Sequence, residues 1–431
     1  MDFIASAENI EKIVRGLTDD IGVRLAGSEQ EMQASKYLAS EMGKYTPNVS
    51  IEEFPCNERI VTEEHLELLE NGQWREYPCS LFSSAPGTKG KTIEAELVFF
   101  DKDTGYQRED LSFMTGKALV HLGCHIENED DYRRLMEARP AFILFIDARY
   151  PADKHLNDGL FPAYVAKYGA VPCMNVAYQH AWKWHQEGTL KARLRVEAET
   201  RPSMTSVVIA ELPGSSPDAG FIYAGGHHDT QAGTVGADDN AIGSAAVVEL
   251  ARLLSATKHR RGYRLCSFGA EEQLSLGSAS YVRRHREELA QNGLFMCNFD
   301  SFGSALGWDN FTLNASEDVH RLIKKCFNSK NIYYNVSNAP CPYTDQFPFA
   351  AAGVPGIWIS RVNCTAGLFY HHRIDNTPDK IDFTMSAKHV EASAMLLDAL
   401  ANAPDFSVYA GIPAAEKPGI ASLFNQVYGG F

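Results

Sequence analysis

Apolar and polar positions change their period along this chain. Behind Ser28-Glu29-Gln30-Glu31, a Ser and a Glu three apart as in a capping box, apolar residues recur at helical spacing and predict a helix to about Tyr45. Val49 to Phe54 alternates and predicts a strand. From about Asn57 to Arg201 the apolar runs are short and strand-like, at residues 95–100, 118–122, 141–146, 173–176 and 190–196, with turn-rich stretches such as Ser83-Ser84-Ala85-Pro86-Gly87 between them. That texture predicts a separate β-rich module over residues 56–200.

From Ser206 onward strand and helix alternate. Residues 206–212, 220–225, 264–268, 294–299 and 356–359 read as strands, and 241–257, 278–290, 317–327 and 386–402 as helices. The alternation predicts an α/β domain, a mixed, largely parallel central sheet flanked by helices. Residues 1–55 and 201–431 are expected to build that domain discontinuously around the insert, since an insertion at a surface loop leaves its flanking ends close together.

Composition narrows the function. The 431 residues are 45% hydrophobic and 22% charged, enough for a large buried core. A formal net charge of -15 and the lack of a basic run argue against a nucleic-acid partner. No stretch has the length and apolarity of a membrane span. Asp2, Glu8, Glu11, Lys12, Arg15, Asp19 and Asp20 interrupt the region where a secretory leader needs an apolar run. The nine cysteines are scattered without a C-x-x-C pair. A cytoplasmic protein with free thiols is therefore expected.

Five short motifs carry the candidate chemistry: Gly225-Gly226-His227-His228-Asp229 after a strand, Gly236-Ala237-Asp238-Asp239-Asn240 before a helix, Ala270-Glu271-Glu272 after the next strand, Asn298-Phe299-Asp300 after the one that follows, and Tyr370-His371-His372-Arg373-Ile374-Asp375. Singly, each has an ordinary structural reading: a solvated turn, an N-cap, a charged surface, a loop entry, a surface loop. Together they form a pattern. Four of the five stand at the carboxyl ends of predicted strands or in adjoining loops, the edge where open α/β sheets bind ligands. Imidazole and carboxylate are the donors that hard-to-borderline divalent ions prefer. Two histidines and three carboxylates hold two ions if one carboxylate bridges, and such a pair polarises a carbonyl and activates water.

In order and spacing, these motifs, with Gly277-Ser278 after the Glu pair, resemble the co-catalytic zinc aminopeptidases, the group of bacterial leucyl aminopeptidases, aminopeptidase Y and the glutamate carboxypeptidases. Gly22-Val23-Arg24-Leu25-Ala26-Gly27-Ser28 resembles the entry motif of that group, and the likeness covers residues 15–55 and about 205–400. It implies a fold of the zinc-exopeptidase type and a metal-dependent hydrolase with two divalent ions, zinc, that cleaves the N-terminal bond of peptides with a free amine. It further implies that Asp238 bridges both ions, that His227 and Asp300 complete one and Glu272 and His371 the other, that Glu271 is the general base, and that Asp229 orients His227. Tyr370 is either an oxyanion donor or packing. His228 and His372 fall at variable positions of the pattern, the choice of His371 resting on its H-x-x-x-D spacing to Asp375. Gln346 stands where the group carries a His. Gly116-Lys117-Ala118-Leu119-Val120 and Gly169-Ala170-Val171-Pro172 resemble the protease-associated module that several relatives insert here.

Three alternatives stay open on the residues. A single-zinc glutaminyl cyclase would not need all five ligands. A carboxypeptidase would need a basic residue for the terminal carboxylate, with Arg361 or Arg373 as candidates. A non-catalytic binding relative would have lost ligands or the base. Tyr343, Phe347 and Phe349 suggest a preference for apolar or aromatic N-terminal residues. The aromatic tail, residues 409–431, packs either on the core or on a second copy in a homodimer.

Overall fold

The strands that carry the chemistry are apolar toward both faces. In Phe221–His227, Ile222 and Ala224 join one buried cluster and Tyr223 another. Gly262–Phe268 separates Leu265 from Cys266 in the same way, and Gly293–Phe299 separates Phe295 and Cys297 from Met296. Successive side chains of a strand point to opposite faces, so a sheet of such strands must be covered on both sides, the usual environment of parallel strands.

The computed structural model describes residues 3–431 and contains that sheet; Met1 and Asp2, with which the expected discontinuous domain opens, lie outside them. Its strand order is Tyr334–Ser337, Trp308–Asn314, Gly356–Ile359, Gly293–Phe299, Phe221–His227, Gly262–Phe268, then Lys191–Leu212. The His227 strand pairs in parallel with both neighbours, and Gly293–Phe299 pairs in parallel with Gly356–Ile359. Trp308–Asn314 and the 207–212 part of Lys191–Leu212 run antiparallel to their inner neighbours. The sheet is thus mixed with a parallel centre. His227, the turn after Phe268 and Asp300 all emerge at one edge. Helices Ala7–Arg15, Ile242–Ser255, Glu317–Ser329 and Phe383–Ala401 feed one core cluster, and Leu276–Arg284 and Arg286–Asn292 feed the other. The single helix expected over 278–290 is broken at His285, whose φ of -103 and ψ of 19 leave the helical region.

The chain divides into two compact units. One runs through Cys56, resumes at Ser203–His371 and closes with Asp375–Phe431; the other comprises Asn57–Pro202 and His372–Ile374. The second unit is not β-rich alone. Ile93–Asp101, Ala118–Leu122, Phe142–Ile146 and Cys173–Val176 form a parallel run, and helices Glu129–Ala138, Pro162–Tyr168 and Tyr178–Glu187 alternate with its strands. Parallel neighbours need crossovers, which Glu129–Ala138 and Pro162–Tyr168 supply between the last three strands, while Tyr178–Glu187 leads out of the run. Asn128 caps the first through Asp130 N and Asp131 N, after which Tyr132, Leu135 and Ala138 are buried.

The aromatic tail packs on its own chain. In helix Lys417–Tyr428, Phe424 stacks on Tyr428 at 5.0 Å, and Phe347 lies 5.8 Å from Tyr428. No helix among the described residues is long and apolar enough to cross a membrane.

Candidate metal centre

His227 ends its strand fully buried, and its two ring nitrogens face different groups. Nδ1 lies 3.3 Å from the Asp229 carbonyl oxygen and 3.4 Å from Asp229 Oδ1. Nε2 lies 3.1 Å from Asp239 Oδ1, 3.7 Å from Asp300 Oδ1 and 3.8 Å from Glu271 Oε2. The Asp229 carboxylate also accepts from Glu271 N at 2.9 Å and Glu272 N at 3.1 Å. One side chain thus fixes both the ring and the turn that carries the two glutamates. Removing it would strand two amides, at about 1–3 kcal/mol each where they are buried.

That turn is bent by Ala270, Leu274 and Ser275, all at positive φ. It rests on a close crossing: a Cβ on Gly277 would sit 2.1 Å from Gly269 O. Glu271 Oε1 accepts from Ser275 Oγ at 3.0 Å, leaving Oε2 toward His227.

Of the two adjacent aspartates, Asp239 and not Asp238 faces the histidines. Asp238 is turned away: Asn376 Oδ1 accepts from its amide at 2.7 Å, and its Oδ1 accepts from Gly303 N at 2.7 Å. Its neighbour Asp239 stands between the histidines, Oδ1 toward His227 and Oδ2 3.4 Å from His371 Nε2. Asp239 has extended torsions, φ -127 and ψ 85, and consecutive side chains of extended backbone point to opposite sides, so only one of the paired aspartates can face the cluster. Donor atoms of His227, Asp239 and Glu272 lie within 4.8 Å of one another, a set that fits a divalent ion. His371 closes the far side of Asp239, so the residues present fit a two-ion centre with Asp239 shared.

The electrostatics call for a cation. Burial opposes the imidazolium of His227, yet Glu271, Asp229, Asp239 and Asp300 outweigh it and hold the ring well above the usual histidine value. Burial and neighbouring carboxylates hold Glu271 and Glu272 well above the ordinary carboxylate range. Asp345, buried nearby, is pushed up to about 7 by burial. A cluster that favours both imidazolium and neutral acids is short of positive charge.

Sequence reasoning quoted Arg24 and Glu31 without giving them this work. Arg24 is fully buried, and its guanidinium donates to His228 O at 2.6 Å, Gly22 O at 2.6 Å, Val235 O at 2.9 Å and Leu17 O at 3.0 Å, bracing the loop after His227. Ser28 caps its helix as expected, its Oγ accepting from Glu31 N at 3.2 Å, but the Glu31 carboxylate is used elsewhere. Its Oε2 accepts from Gly27 N at 2.6 Å, and its Oε1 accepts from Thr205 Oγ1 at 2.6 Å and Ala270 N at 2.9 Å, pinning the turn before Glu271. An acid three residues after a cap Ser was the available signal, and its burial could not be read from the sequence. His228 lies between the hydroxyls of Ser35 and Ser267, each at 2.9 Å, and burial lowers its pKa to about 3. Tyr370 packs edge-on against Phe369 with Lys380 over its ring. Phe347 and Phe349 are buried in core clusters, which removes them from the argument for an aromatic preference; Tyr343 is exposed.

Residues 207–397, the stretch that holds every motif of the cluster, match the model of Peptidase family M28. Aminopeptidase YwaD of Bacillus subtilis (strain 168) is 22% identical over 424 residues, covering 96% of this chain and 86% of that protein. Among solved structures, the Peptidase M28 precursor from Shewanella amazonensis SB2B superposes with a TM-score of 0.81 at 20% identity, covering 94% of this chain and 95% of its own. BSAP, a zinc aminopeptidase from Bacillus subtilis, superposes with a TM-score of 0.78 at 17% identity, covering 95% and 99%. These two likenesses establish the mixed α/β fold.

Proposed function

We propose that this chain, whose residues 207–397 match the model of Peptidase family M28, is a member of that family and a two-zinc aminopeptidase that removes residues from the free N-terminus of peptides. The observation that carries the reading is Asp239, which presents one carboxylate oxygen to His227 and the other to His371. His227 and Asp300 would hold one ion and Glu272 and His371 the other, with Asp239 common to both. Bound there, the ions supply Lewis-acid polarisation of the scissile carbonyl and acidify water.

The protein's own groups do the rest. Glu271 has one oxygen held by Ser275 and the other 3.8 Å from His227 Nε2, beside the ligands and spent on neither ion. It takes the proton of the attacking water and returns it to the leaving amine. Asp229 keeps His227 oriented, as a carboxylate behind a ligating imidazole does. The carboxylates around Glu271 attract a substrate ammonium and repel a C-terminal carboxylate.

The two arginines that a carboxypeptidase could have used are committed elsewhere, which supports N-terminal polarity. Arg361 donates to Ser304 O at 2.7 Å and Gly307 O at 2.6 Å, and Arg373 to Lys154 O at 2.6 Å and Asp147 Oδ2 at 2.8 Å. All nine cysteines are free thiols, which supports a reducing compartment, and we place the enzyme in the cytoplasm. The second unit is assigned no catalytic step; its likeness to a protease-associated module rests on short sequence stretches. Anomalous scattering at the zinc edge from zinc-soaked crystals tests the reading: a pair of peaks flanking Asp239 is expected. A single peak at saturating zinc, or a peak against Asp238, would overturn it.

A further inference from the structure

A second cluster of metal-binding donors lies within the other unit. Cys124 and His125 follow strand Ala118–Leu122 at the carboxyl edge of the parallel run, and Asp158 comes from the loop between Phe142–Ile146 and Pro162–Tyr168. This is the edge at which open α/β sheets gather ligands. Cys124 Sγ is 3.2 Å from His125 Nδ1, and Asp158 Oδ2 is 3.4 Å from the same nitrogen. All three donor atoms lie within 4.8 Å of one another.

We propose that Cys124, His125 and Asp158 form a further zinc-type site, with Cys124 Sγ, His125 Nδ1 and Asp158 Oδ2 as ligands. With ordinary zinc bond lengths, a tetrahedral site puts N and O about 3.3 Å apart, as here, and S and N about 3.6 Å apart, so the thiol at 3.2 Å would have to open slightly to admit an ion. The surroundings agree as well. His125 Nε2 lies 3.1 Å from Glu127 Oε1, so the nitrogen away from the convergence point is held by a carboxylate, the partner that a ligating histidine normally keeps. Asp158 Oδ1 accepts from Gly159 N at 2.7 Å, which turns Oδ2 toward the other donors. The Asp158 loop is itself pinned, with Ser83 N donating to Asp158 O at 3.0 Å and Leu160 N to Ser83 O at 2.9 Å. A thiolate, an imidazole and a carboxylate suit a borderline ion such as zinc better than magnesium or calcium, which prefer oxygen alone.

Cys124, His125 and Glu127 also follow the order of a nucleophile, base and orienting acid, and Asp158 is what sets the cluster apart from a triad. In a triad the base offers one nitrogen to the nucleophile and the other to its orienting acid. Here a thiol and a second carboxylate share Nδ1, a crowding that an ion between them relieves. Binding displaces the thiol proton to solvent and forms an S–metal bond.

The test uses the full-length protein loaded with cobalt(II), a spectroscopic substitute for zinc. Thiolate ligation gives a near-ultraviolet sulfur-to-cobalt charge-transfer band, which imidazole and carboxylate ligands do not, so the band reports this site and not the proposed peptidase centre. The band is expected in the wild type, lost in Cys124→Ser and kept in Cys341→Ser, which alters a thiol of the peptidase unit. Cys124→Ser and His125→Ala should each bind one ion fewer per chain than wild type, with circular dichroism confirming the fold. Absence of the band at saturating cobalt, or its survival in Cys124→Ser, overturns the proposal. Either result leaves the peptidase reading untouched, because that rests on other ligands.

Discussion

At the residue scale the account turns on two pairs of adjacent acids. In each pair one member is assigned to metal and the other is not. Asp239 faces both histidines, whereas Asp238 is bound to Gly303 N. Asp239→Asn should therefore lose zinc affinity by orders of magnitude, while Asp238→Asn keeps the metal and loses stability through its loop contacts. Metal titration of the two variants checks this; equal zinc affinity in both would contradict it. For the glutamates, Glu271→Gln should retain both ions and lower kcat by about 10²–10⁴-fold, the usual contribution of a general acid–base group. Near-wild-type turnover would assign the proton transfer to another residue. Residue type and order made nearly the whole cluster legible, but not which of two identical neighbours faces inward. That depends on the extended torsions of Asp239, and Asp238-Asp239 looks the same from the sequence in either orientation.

At the element scale, candidate ligands from separate strand ends and loops meet because backbones approach closely. A Cβ on Gly226 would lie 2.8 Å from both Gly243 C and Phe299 O, so His227, the segment after Asp239 and the strand end before Asp300 are drawn together through a residue without a side chain. Gly226→Ala should destabilise by about 1–3 kcal/mol, as overpacking does, and weaken zinc binding as the ligands part. Thermal unfolding with a zinc titration measures both; wild-type values for the two would show that the crossing does not position the site. The central strands were readable because they are apolar toward both faces. Trp308–Asn314 and Tyr334–Ser337 were not, being broken by Asp309, Asn310 and Asn335 and lying at the sheet's outer side. The short helices of the second unit escaped because three buried positions, as at Tyr132, Leu135 and Ala138, barely establish a period. Arg24 and Glu31 could be quoted but not given roles, since their partners lie far along the chain.

At the scale of the whole molecule, the acids around the centre tie stability to metal and pH. Burial raises Glu31 to about 8 and Asp238 and Asp345 to about 7, above their ordinary values of 4.5, 3.8 and 3.8. Raised folded-state values mean that their stabilising contribution is complete below the unfolded values and is lost as pH rises through about 7 to 8. Bound cations offset that loss, and ligands bind metal more tightly once deprotonated. The gap in Tm between zinc-loaded and chelated protein should therefore widen from pH 4.5 to pH 8; a gap that narrows over that range would contradict the assignment.

The central claim, that the site reads a free amine and cleaves the bond next to it, meets its most direct test in a matched pair of short peptides. One carries a free N-terminus and its twin is N-acetylated, and each is incubated with zinc-loaded enzyme while products are followed by mass spectrometry. The account predicts stepwise release of N-terminal residues from the first and none from the second. Equal cleavage of both peptides, or release from the C-terminus, would contradict it.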